Sequence, residues 1–159
     1  MNKSWIANGF TVANALFGGL SIMMSISGEY HVAAICILIA MAADAFDGRV
    51  ARALGTAGPM GVELDSLSDD ISFGVAAGAL IYSYQLRELG AFGFIPCALL
   101  GAFCAFRLAR FNVKVTSVHG YFEGLPCPTV GVIIACYVLS GVKIWNWLAM
   151  VCVLALAVL

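Results

Sequence analysis

A chain of 159 residues that is 62% hydrophobic and only 11% charged cannot close its surface as a soluble domain, which needs about a quarter of its residues charged. Lipid must therefore solvate much of its exterior, and at about 20 residues per span the length suits one domain of six helices. A net charge of −1, with no basic stripe and no recognition motif, excludes a nucleic-acid partner.

Six apolar stretches follow one another: about Trp5–Ser27, His31–Leu54, Leu64–Gln85, Ala91–Val113, Thr129–Val142 and Ile144–Leu159. The first is too long for a signal peptide and has no small-residue cleavage site, so it reads as a retained span. Short links with turn chemistry separate the others, including Ser27-Gly28-Glu29, Gly55 to Pro59, and Arg87 to Gly90. The longest link, from about Lys114 to Pro128, holds His119, read as a solvated loop residue. Lipid leaves no unpaired backbone and no strand alternation is visible, so the spans are predicted as helices. The expectation is a single transmembrane catalytic domain over residues 1–159, an all-α integral membrane bundle. Its last span stops at Leu159 with no polar tail, which fits a shortened C-terminus. The six cysteines show no C-x-x-C or zinc spacing and read as small packing residues.

Charge asymmetry sets the orientation. With the N-terminus inside, the cytoplasmic side receives Lys3, Arg49, Arg52, Arg107, Arg110 and Lys114, and the outer side only Arg87 and Lys143. The positive-inside rule then favours both termini in the cytoplasm. Most of the acidic residues fall on the same inner side, and a cluster of both signs at one membrane face marks a candidate site.

That cluster is Asp44-Ala-Phe-Asp47-Gly48-Arg-Val-Ala51-Arg52, followed after eight residues by Gly61-Val-Glu-Leu-Asp65-Ser-Leu-Ser-Asp69. Asp44 and Asp47 are three apart and share one helix face; Asp65 and Asp69 are four apart and share another. The turn between the two helices is short, so the four carboxylates can converge. An ionised aspartate deep in a membrane helix costs roughly 2.5–3.5 kcal/mol, and four unpaired ones on the order of 10 kcal/mol. Two divalent cations would cancel the four charges, and oxygen ligands select magnesium, manganese or calcium. Paired metals of this kind recur in phosphoryl-transfer enzymes. Gly48 and Gly61 allow close approach by another backbone or a flat ligand on the carboxylate face, Ala51 keeps it shallow, and Arg52 lies two turns from Asp44, where a guanidinium can grip phosphate.

The fixed positions fill D-x2-D-G-x2-A-R-x8-G-x3-D-x3-D completely, a pattern that resembles the signature of the CDP-alcohol phosphatidyltransferase family. The resemblance covers the full chain and implies a six-transmembrane-helix bundle, usually a homodimer, in the cytoplasmic membrane of a bacterium or archaeon with its active site facing the cytoplasm. It implies that Asp44, Asp47, Asp65 and Asp69 bind two Mg2+ or Mn2+ ions and that Asp69 is also the base. Gly48, Ala51 and Arg52 are implied to meet the CDP group. Thr11 and Asn14, in a T-x2-N-x3-G element ending at Gly18, are implied to face the nucleotide; spacing alone reads the same element as a helix-packing face.

Three further stretches are similar to serine-using members: Leu64 to Gly74, Phe106-Arg-Leu-Ala-Arg-Phe-Asn112, and Phe122-Glu-Gly-Leu-Pro-Cys-Pro128. They imply transfer from CDP-diacylglycerol or CDP-archaeol to L-serine. Arg107, Arg110 and Asn112 are candidates for the serine carboxylate or the donor phosphates, with snorkelling anchorage as the bland alternative for the arginines. Other acceptors, glycerol phosphate or inositol phosphate, fit the same core. A prenyl transferase would lack the D-G-x2-A-R element. A cation transporter with a carboxylate site would survive Asp69→Asn.

Overall fold

The computed structural model describes residues 4–55, 58–115 and 126–158. It is helical, with no strand among the described residues. α1 (Ser4–Ile26) and α2 (Tyr30–Leu54) form an antiparallel pair turned by Gly28, whose φ of 85° suits a residue without a side chain. The third helical run is composite: α3 (Pro59–Asp69), a π-helical turn (Asp70–Val75) and α4 (Ala76–Tyr84). A 3₁₀ turn (Leu86–Leu89) leads into α5 (Ala91–Val115), followed by α6 (Cys127–Leu139) and α7 (Asn146–Val158).

The six predicted spans are present in order, with two local differences. The third begins at Pro59 instead of near Leu64, because a proline at the first helical position, after Gly58, starts a helix as readily as it ends a turn. Asp65 is thereby moved into the second turn of α3. The π turn, with one extra residue per loop, falls directly after Asp69. Three helical segments, Asn8–Ile26, Tyr30–Val50 and Ala91–Val113, are long and apolar enough to cross a membrane by themselves. α6 and α7 have 13 residues each, about 20 Å at 1.5 Å per residue.

The distribution of side chains is that of a protein in lipid. Leu16, Met23, Ile26, Phe92, Phe94 and Trp145 lie exposed on the outside of the bundle, while Thr11, Asn14, Ser21, Ser25, Ser72, Asp47, Asp69 and Gln85 are buried within it. In water such an arrangement would expose far more apolar surface than a monomer tolerates. Four cysteines are buried and Cys136 and Cys152 face outward, so the packing reading holds for the first group.

The π turn is where the bundle converges: α1, α5 and α6 all pack on it. Each meets it through a glycine. A Cβ on Gly18 would sit 2.8 Å from Ser72 Cα, one on Gly131 3.1 Å from Phe73 Cα, and one on Gly101 3.2 Å from the Val75 side chain. Close backbone approach through small residues is the usual means of helix association in lipid, where no hydrophobic drive exists between helices. At the far end Gln85 closes the bundle: its amide donates to the Ile144 carbonyl at 2.6 Å and to Asn146 Oδ1 at 3.1 Å, and its Oε1 accepts from Tyr137.

Candidate functional site

α2 and α3 run side by side against α1 and carry the aspartates to one place. Carboxylate oxygens of Asp44, Asp47 and Asp65 lie within 4.8 Å of one another. Asp44 also reaches Asp69 at hydrogen-bond range, as it does Asp65, so the fourth aspartate adjoins the trio. Asp47 and Asp69 are buried, at 5% and 7% exposure; Asp44 and Asp65 are half-buried. Like charges this close repel strongly in a medium of low polarity. Asp47 Oδ2 and Asp65 Oδ1 are buried with no hydrogen-bond partner.

Such a donor set fits a hard divalent cation. Octahedral Mg2+ at about 2.1 Å from oxygen separates its ligand atoms by roughly 3.0–4.2 Å, which small side-chain adjustments from the observed spacing supply. The orphaned oxygens are the atoms a cation would satisfy. Asp70, by contrast, turns away: its Oδ1 lies beside Gly74 at the α5 contact, 2.8 Å from where a Cβ on that glycine would stand.

Two polar residues of α1 stand behind the carboxylates. Asn14, with no exposed surface, donates from Nδ2 to Asp69 Oδ1 at 3.0 Å. The Thr11 hydroxyl is hydrogen-bonded to Asp47. A hydrogen bond to a buried carboxylate contributes about 1.5–3 kcal/mol, enough to fix which way each oxygen points. Ser72, three residues beyond Asp69, donates to the Asn14 backbone carbonyl at 2.9 Å. Sequence reading passed over Ser72; the available signal was a lone hydroxyl, one turn from Asp69, inside an apolar run.

The other candidates are dispersed. Gly48 is half-buried on α2, one residue beyond Asp47. Ala51 and Arg52 lie in α2, but their side chains are outside the described residues, as are His119 and the Phe122–Leu125 part of the third similar stretch. A Cβ on Gly61 would lie 3.9 Å from Asn8 Oδ1, in ordinary contact with α1. Arg107 is half-buried and lines a small cavity with Phe73, Cys104, Cys127 and Val130. Arg110 is exposed on α5. Asn112 does not stand free for a ligand: its amide donates to Ser66 Oγ at 3.0 Å and pins α5 to the residue beside Asp65.

With this geometry, the sequence pattern of the CDP-alcohol phosphatidyltransferases matches residues 4–159. The chain belongs to that family. Among curated members it is similar to a CDP-diacylglycerol–serine O-phosphatidyltransferase of Helicobacter pylori, 37% identical over 137 residues, covering 86% of this chain and 58% of the relative. It is also similar to the archaetidylserine synthase of Methanothermobacter thermautotrophicus, 40% identical over 133 residues (82% of this chain, 56% of that one). A Bacillus subtilis CDP-diacylglycerol–serine O-phosphatidyltransferase is 38% identical over 122 residues, 76% of this chain and 68% of its own length. The chain thus spans little more than half the length of the first two relatives. Family membership accounts for a helical membrane bundle with an acidic cluster able to hold a divalent metal.

Proposed function

We propose that the chain transfers the phosphatidyl or archaetidyl group of a CDP-activated lipid to the hydroxyl of L-serine, releasing CMP. The observation that carries this reading is the convergence of Asp44, Asp47 and Asp65 from two helices within 4.8 Å, with Asp69 adjoining through Asp44, in a chain whose similar relatives are named as serine transferases. Two Mg2+ or Mn2+ ions held by these four residues would neutralise charge on the diphosphate and steady the leaving group.

The protein's own groups do the rest. Asp69, with Oδ1 engaged by Asn14, has its other oxygen to accept the proton of the serine hydroxyl. The freed oxygen attacks the β-phosphorus in line, and the bond from that phosphorus to the CMP oxygen breaks. Position more than proton affinity makes Asp69 effective, since proximity and alignment remove much of the barrier. Gly61, four residues before Asp65 on one face of α3, supports placing the nucleotide over the α2–α3 face, where Gly48, Ala51 and Arg52 would contact CDP. Arg107, at the cavity between the π turn, α5 and α6, is the best-placed group for the serine carboxylate. Arg110 is a candidate for phosphate, and Asn112 acts on the pocket through Ser66. The site faces the cytoplasm of a bacterial or archaeal membrane by charge asymmetry, and the working unit is a homodimer.

The test is CMP release from CDP-diacylglycerol and from CDP-archaeol by the purified protein, with and without L-serine and Mg2+. Release that requires both serine and metal is expected. Release driven instead by glycerol phosphate or inositol phosphate would overturn the choice of acceptor; ion flux in proteoliposomes surviving Asp69→Asn would overturn the enzyme itself.

A further inference from the structure

We propose that Thr11 and Asn14 of α1 are positioning residues, holding Asp47 and Asp69 in the arrangement that takes up divalent cations. The proposal rests on the metal-dependent reading above and assigns to the first helix a role in a site whose carboxylates all come from elsewhere.

Three observations carry it. Both side chains are buried, at 4% and 0% exposure, and they bond to aspartates on different helices, Thr11 to Asp47 of α2 and Asn14 to Asp69 of α3. α1 therefore ties together the two halves of the cluster. The Asn14 amide has only one workable orientation, because its opposite flip would set an amide oxygen against a carboxylate oxygen. Ser72 supplies the third. Serines in apolar helices commonly donate to the carbonyl four residues back, and Ser25, Ser66 and Ser68 do so here, to Ser21, Val62 and Leu64. Ser72 instead donates across the interface to the Asn14 carbonyl. Asn14 is thus held through its backbone by one residue of the third run and holds another, three positions earlier, through its side chain. Gly18 one turn later lets the two backbones come this close. The spacing of Thr11, Asn14 and Gly18, three and then four residues, puts all three on one face.

Like-charged oxygens without such partners would swing apart before a cation arrives. Groups that orient metal ligands typically change metal affinity 10–100-fold when removed, by general experience with outer-shell partners. A competing role is a direct bond from a nucleotide donor to Asn14 Oδ1, which is buried and has no protein partner.

The experiment measures Mn2+ binding by electron paramagnetic resonance on the detergent-solubilised full chain, beside KM for CDP-diacylglycerol at saturating metal. The variants are Asn14→Leu, Thr11→Val and Thr11→Ser, with thermal unfolding as the check of fold. Thr11→Val and Asn14→Leu are expected to weaken Mn2+ binding about 10–100-fold with KM little changed, and Thr11→Ser to restore the wild-type value. Unchanged Mn2+ affinity with a raised KM would make these residues nucleotide contacts and overturn the proposal; unchanged values of both would overturn it equally. Should Asn14→Leu fail to fold, the Thr11 pair decides alone, since valine nearly matches threonine in shape. If the wild type itself binds no Mn2+, the metal reading fails instead, so the two failures are separable.

Discussion

Replacing Gly18 with alanine would drive a methyl carbon into the backbone of the π turn. The new Cβ would stand 2.8 Å from Ser72 Cα and 3.1 Å from its Cβ, against the ~3.5–4.0 Å at which carbons pack. Backbone cannot rotate aside as a side chain does, so α1 and the third run must part by most of an ångström. Overpacking of this kind costs typically 1–3 kcal/mol, and loss of the Ser72–Asn14 hydrogen bond about 1 kcal/mol more. Alanine returns up to about 1 kcal/mol in helix propensity. The net is a loss of about 1–3 kcal/mol, a fall in Tm of roughly 5 °C for a chain of this size. Turnover should fall further, up to about 100-fold, because the same shift displaces the partner of Asp69. The neighbouring Gly19 is the control: a Cβ there meets nothing within 4 Å, so Gly19→Ala should be neutral or slightly stabilising. Thermal unfolding in detergent and CMP release read both variants. A Gly18→Ala protein that melts and turns over like wild type, or a Gly19→Ala protein that falls as far, would refute the reasoning.

Chelation is expected to abolish CMP release and Mn2+ to restore it while raising Tm, because a ligand of the native state alone stabilises it. Asp65→Asn should lose both responses yet melt no lower than wild type without metal, since it takes one negative charge out of the cluster; a retained Mn2+ shift would place the cation elsewhere. Gly61→Leu adds bulk four residues before Asp65, on the face proposed for the nucleotide, so KM for the CDP-lipid should rise at least about tenfold (about 1.4 kcal/mol or more); an unchanged KM would mean that face is not the nucleotide's. Asn112→Ala and Ser66→Ala break the same bond, so a double-mutant cycle on Tm should show coupling of about 0.5–1 kcal/mol; strictly additive effects would deny that the bond matters.

The carboxylate quartet was legible in the sequence because charge in hydrocarbon has few uses, and the i, i+3 and i, i+4 spacings allow one face each. The helical spans were legible from apolar length. Pro59 was not read as a helix start, since the same residue closes a turn or opens a helix, and only the structure distinguishes the two. The face formed by Thr11, Asn14 and Gly18 was readable from spacing, but its partners were not: they depend on how α1 crosses α2 and α3. The π turn left no trace at all. Asp70-Ile-Ser-Phe-Gly-Val75 contains nothing that α-helix refuses outright, and the glycines of three neighbouring helices that lie against the widened loop come from distant parts of the chain.

One residue more per loop has a consequence for how this chain can change. Six residues wound at the wider π pitch sweep about the same angle as five of ordinary α-helix, roughly 500°, so removing a single position between Asp70 and Val75 would let the segment wind as α-helix with the helices on either side kept in phase. Leu80 and Ile81, now inside, would stay turned inward and Asp65 and Asp69 would stay put, so the change would fall on the residues of the turn itself. A change of one residue in length can be absorbed here; elsewhere along the third run it would turn everything beyond by about 100°.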